Sequence, residues 1–156
     1  MTRSSYRLLL ILLAMPFVAC AFQADLPSEP PEGLGAAGFH DDCAPWDGGA
    51  TTILLGQRVP TDPSKPEFPY LQISLYSKPT QFQVGKRLGF EIPGERGFAQ
   101  YCLRAEACTK ATAVTLQFSK IEQDRLEGRF EVLFKGRKSI RGSFRANRIP
   151  FRALCG

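Results

Sequence analysis

Residues 112–145 read TAVTLQFSKIEQDRLEGRFEVLFKGRKSIRGSFR, and their alternation decides the fold class. Over 112–119, Val114, Leu116 and Phe118 fall on one side and Thr115, Gln117 and Ser119 on the other. Over 125–134, Leu126, Phe130, Val132 and Phe134 alternate with Arg125, Glu127, Arg129 and Glu131. Over 139–145, Ile140 and Phe144 alternate with Arg141 and Arg145. Successive strand residues point to opposite faces of a sheet, so this period predicts three half-buried strands. The short links KIEQD and KGRK make them an antiparallel meander. Gly128 and Gly142 fall on inward positions of neighbouring strands. Glycine there marks a bulge or a tight bend, as a barrel corner requires.

Upstream, the same period recurs in ATTILL (50–55), YLQISLY (70–76), QFQV (81–84), RLGFEI (87–92) and FAQYCL (98–103). No segment sustains a helical period with caps; LRAEACTKA (103–111) offers one turn at most. Seven or eight short strands with turn punctuation predict an all-β domain, a small antiparallel barrel or sandwich stapled by disulfides. VPTDPSKPEFPY places Pro60, Pro63, Pro66 and Pro69 at every third residue, the period of polyproline II. A docking ligand has that period. A stiff surface crossover between two strands has it too and is the reading adopted, since PxxP readers are intracellular domains.

The first residues set the compartment. Arg3 and Arg7 precede an apolar run from Leu8 to Met15, then Pro16 and small residues, the layout of a secretory signal peptide. The run is shorter than the ~20 residues that cross a bilayer. Val18-Ala19-Cys20 resembles the end of a bacterial lipobox, although Phe17 stands where leucine is usual. That resemblance, shared with small bacterial envelope lipoproteins, implies a signal over 1–19 and a lipid-bearing Cys20. The alternative is ordinary cleavage after Ala21. Residues 20–42, rich in Pro, Gly, Ala and acid, read as a flexible tether, and 43–156 as the β domain.

Cys43, Cys102, Cys108 and Cys155 remain under either cut. An even number in an exported chain favours two disulfides. Cys102–Cys108 spans an easy turn and leaves Cys43–Cys155 to join the ends of the domain. Closing that loop is worth ~4–5 kcal/mol in the chain-entropy model. Zinc is disfavoured, because the nearest pair is C-x5-C rather than C-x-x-C.

Beyond the signal, 18 basic residues face 15 acidic ones, a balance of +3. Residues 22–69 hold eight acidic and two basic residues; residues 70–156 hold seven acidic and sixteen basic. The protein is thus an acidic arm on a basic body. Arg125, Arg129, Arg141 and Arg145 share the outward face of the meander, with Lys135, Arg137 and Lys138 at its turn. Such a stripe attracts anionic lipid, lipopolysaccharide or acidic glycan. Nucleic acid is disfavoured, because the phenylalanines that would stack on bases point inward. Glu127 and Glu131 lie on the same face, as cross-strand partners of an ordinary solvated surface would.

No catalytic signature is present. There is no G-x-S-x-G elbow, and Glu91, Glu95 and Glu106 show no spacing that makes them converge. His40, Asp41, Asp42 and Cys43 cluster in FHDDC. A lone histidine in a tether makes a poor metal ligand, and no metal or cofactor is expected. The reading is an exported, lipid-anchored protein with a non-catalytic binding or structural role at the envelope. The alternative is a soluble periplasmic or secreted enzyme inhibitor or small hydrolase. The chain is similar to periplasmic lysozyme inhibitors in size, compartment and disulfides. A basic body suits a basic lysozyme poorly.

Overall fold

The computed structural model describes residues 33–45, 48–92, 96–136, 139–151 and 153. Among them are eight strands: β1 (Ala36–Cys43), β2 (Gly49–Gly56), β3 (Tyr70–Leu75), β4 (Arg87–Glu91), β5 (Gly97–Cys102), β6 (Cys108–Ile121), β7 (Arg125–Phe134) and β8 (Ile140–Arg148). β6, β5, β3, β2, β1, β8 and β7 pair in that order, and β7 returns to β6, which closes a barrel. β4 lies outside that ring, paired with β6 beyond the short stretch that β5 uses.

Closure depends on β6. It is fourteen residues long and carries two register irregularities, between Ala111 and Ala113 and between Phe118 and Lys120. Each bulge bends the strand and adds twist. Gly128 sits opposite Phe118 at the second, where an added Cβ would lie 2.5 Å from the Gln117 carbonyl oxygen. The glycine predicted at a corner is therefore there because the strands approach too closely for a side chain.

Inward residues of the seven strands fill the barrel. Phe39, Ile53, Leu55, Leu71, Ile73, Leu75, Leu116, Phe118, Leu126 and Val132 are all essentially excluded from water. Phe118 stacks on Phe82 at 4.8 Å between centroids and meets Phe144 edge-on at 6.0 Å.

The structure corrects four expectations. The sheet is not wholly antiparallel: β1 and β8 pair in parallel, Ala37 with Ala146 and Phe39 with Arg148. Residues 36–42, expected as tether, are strand β1. AAGFHDDC is poor in β-branched residues, and its polar half hides the period. Hairpin pairing with β2 on one edge and long-range pairing with β8 on the other override that weak local propensity. QFQV is not a strand. A 3-10 turn occupies Pro79–Gln81, Phe82 plugs the core and Val84 is exposed. The four prolines do not share one polyproline edge. The β2–β3 crossover turns at Asp62–Lys65, where Lys65 N–H donates to the Asp62 carbonyl, and Phe68–Pro69 is cis.

Cys102 and Cys108 are bonded, opposite each other at the β5–β6 junction. Cys43 is disulfide-bonded as well; Cys155, its expected partner, lies outside the described residues, as does Cys20. Converting Cys102 and Cys108 together to alanine is expected to cost ~2 kcal/mol, the loop-entropy value for so short a ring. Urea unfolding of parent and variant measures the difference. A loss above ~4 kcal/mol would show that the bridge holds native packing and does more than restrict the unfolded chain.

Candidate functional site

The outer wall formed by β4, β6, β7 and β8 carries the charge. Register places Glu127 opposite Arg145, Arg129 opposite Ser143 and Glu131 opposite Arg141. Arg125, Arg129, Arg141 and Arg145 thus share one face. Three of them have carboxylate partners on it. Glu127 Oε1 lies 2.6 Å from Arg125 Nε and 3.2 Å from Arg145 Nε. The first contact is ionic and off the hydrogen-bond line, since Arg125 Nε has no hydrogen-bond partner. Arg141 Nη2 donates to Glu131 Oε1 at 3.1 Å, and the Ser139 hydroxyl donates to the same oxygen. Arg129 is exposed, and its guanidinium makes no hydrogen bond or ion pair among the described residues. Lys135 is exposed at the turn; Arg137 and Lys138 lie outside the described residues.

One cation escaped the sequence reading. Arg87 opposes Gln117 across β4–β6, and Gln117 opposes Arg129 across β6–β7. Arg87, Gln117, Arg129 and Ser143 therefore form one row across four strands. Arg87 is exposed and, like Arg129, unpaired among the described residues. Gln117 is oriented by donating through Nε2 to the Gly85 carbonyl at 2.8 Å. The row borders a cleft of about 570 Å³ that also includes Thr115, Glu131, Arg141 and Gly142. Period two places Arg87 outward in RLGFEI; only the non-local β4–β6 pairing brings it to this wall.

A larger cleft, about 770 Å³, opens at the barrel end where β1, β8 and the β6–β7 turn meet. Its carboxylates and its arginine are engaged. Arg148 donates through Nη1 to Asp41 Oδ2 at 2.7 Å and through Nε to the Gln123 carbonyl at 2.8 Å, and its guanidinium lies over the Phe39 ring. Glu122 pairs with Lys120 at 2.8 Å. Asp42 accepts from the Thr52 hydroxyl and from the Cys43 N–H.

His40 is strand, not tether, and only 5% exposed. Its Nδ1 lies 3.0 Å from the Asp41 carbonyl oxygen, and its ring meets Phe151 edge-on. Nearby, Thr52, Ser74, Gln72 and Gln100 form a hydrogen-bonded ladder across β2, β3 and β5. Glu91 and Glu106 lie at opposite ends of the β4–β5–β6 connections, and Glu95 lies outside the described residues. Among the described residues no three His, Cys, Asp or Glu side chains group as a metal site, and no helix is long and apolar enough to cross a membrane. No family model, curated protein or solved structure matches the chain.

Proposed function

We propose that this is an exported bacterial envelope protein, anchored by a lipid on Cys20, whose barrel binds an anionic partner on its outer β4–β6–β7–β8 wall without catalysis. The observation that carries the reading is the contrast between inside and outside. Apolar side chains fill the barrel, whereas the wall holds five arginines, Arg87, Arg125, Arg129, Arg141 and Arg145, against three glutamates, Glu91, Glu127 and Glu131. Low-dielectric sheet beneath exposed guanidinium groups focuses their field on an approaching anion. The hydrolase alternative finds less support. A hydroxyl nucleophile needs an adjacent base and access to substrate; Thr52 has the Asp42 carboxylate beside it, but Thr52 and Ser74 are buried, and the His40 Nδ1 faces a main-chain carbonyl. The carboxylates of the larger cleft are engaged.

Two measurements test the two halves. A fatty-acid analogue fed to expressing cells is expected to label the parent and leave Cys20→Ala unlabelled; equal labelling refutes the anchor. Cys20→Ala protein, free of any lipid, is expected to bind vesicles containing anionic lipid about tenfold more weakly at ~0.3 M salt than at low salt, because surface attraction is screened within a few ångströms there. Salt-independent binding, or none, refutes the charge reading.

A further inference from the structure

We infer that the wall contains one discrete anion site, between Arg87 and Arg129, and that it takes a phosphate monoester group. The inference rests on the proposal that this wall binds anions, and it names where and what. Strands ~4.8 Å apart put the Arg87 and Arg129 Cα atoms about 10 Å from each other across β6, close enough for two long side chains to converge on one group. Neither guanidinium has a partner among the described residues. Ser143, opposite Arg129, adds an exposed hydroxyl that is likewise unpartnered. Gly89, in the next outward-facing row, carries no side chain, so that an anion can approach the sheet there. By contrast, Glu127 takes Arg125 and Arg145, and Glu131 takes Arg141. Three of the four arginines that sequence alone singles out are thus ion-paired.

The ligand class follows from charge and valence. One carboxylate is satisfied by a single arginine fork. Two uncompensated forks and a hydroxyl match a group with three terminal oxygens and a charge near −2, which describes a phosphate monoester at neutral pH. Such a group occurs on lipid headgroups and as free phosphate; the chemistry of the contact is the same.

The test uses the Cys20→Ala full chain, so that no anchor contributes. Probes are inorganic phosphate, vesicles of phosphatidylcholine with phosphatidic acid, and vesicles with a matched fraction of phosphatidylglycerol, a diester. Arg87→Gln with Arg129→Gln is expected to weaken phosphatidic acid binding at least about tenfold, whereas Arg125→Gln with Arg145→Gln changes it less than about twofold, because those two are already paired. All four positions face outward, and circular dichroism melts confirm that both variants fold. Parallel loss of inorganic phosphate binding assigns a soluble source. Loss on vesicles by a protein that never binds free phosphate assigns a headgroup. Equal weakening by both double variants shows a diffuse charged face and overturns the site while sparing the broader proposal. Phosphatidylglycerol binding as tight as phosphatidic acid binding overturns the monoester assignment. No salt-sensitive binding of any probe to the parent overturns site and proposal together.

Discussion

Phe118→Ala is expected to lower folding stability by about 3–5 kcal/mol, the range for removing a large aromatic side chain from a core that cannot collapse around the gap. Phe118 sits where collapse is hardest. It is 2% exposed, lies on the long strand that three others share, and contacts two rings. The stack on Phe82 and the edge contact with Phe144 each add about 0.5–1.5 kcal/mol beyond area burial. Phe82 also belongs to the loop between β3 and β4, so the vacancy would loosen that loop as well as the wall. Guanidinium unfolding at unchanged slope measures the loss. Domains of this size carry only about 5–15 kcal/mol in total. Phe118→Leu, which keeps most of the volume, provides a folded comparison should the alanine variant fail. Phe68→Ala, at a 40% exposed ring, is expected to cost well under half as much. A Phe118→Ala loss below ~2 kcal/mol would mean that the barrel repacks around the space.

How far the sequence carries is clearest at β7. Its alternation runs unbroken from Arg125 to Phe134, and the strand has those bounds. The hairpins to β6 and β8 are equally legible, because their partners are neighbours in sequence. Alternation reports which way a side chain points; it carries no record of which strand lies alongside. Hence Leu88 and Phe90 are read correctly as inward, while the docking of β4 on β6, and with it the approach of Arg87 to Arg129, is not read at all. The β1–β8 pairing is invisible for the same reason, being parallel and formed between the two ends of the domain. β1 is hidden further by its composition. Gly38 is outward and bare because Val59 and Ile149 cover it; an added Cβ would lie 2.7 Å from Val59 Cγ1 and 2.8 Å from Ile149 Cδ1. A glycine under a lid looks, in sequence, like a glycine in a linker. The arginine stripe shows the converse failure. Its face is legible, but which of its charges remain free depends on rotamers and register: Glu127 reaches two arginines and leaves none for Arg129.

Gly128→Ala is expected to cost about 3 kcal/mol, at the upper end for overpacking a tight site. The added methyl would meet the Gln117 carbonyl oxygen at 2.5 Å and the Phe118 Cα at 3.1 Å. Both atoms are main chain, so no side-chain rotation relieves the contact. β6 and β7 must separate at the point where β6 bulges, where Phe118 anchors β6 in the core. Gly89→Ala is the matched control. It also lies in a strand of the same wall, but its nearest backbone neighbour would be 3.8 Å away. Its cost should stay within ~0.5 kcal/mol, as for other open surface positions. Urea midpoints for the two variants decide the matter, and amide exchange locates the effect. Faster exchange confined to residues around 117–120 and 126–129 is expected for Gly128→Ala, because the strain is local to the bulge. If the two alanines cost the same, the close approach at the corner is not what closes the barrel, and the bend must come from the irregularity between Ala111 and Ala113 instead.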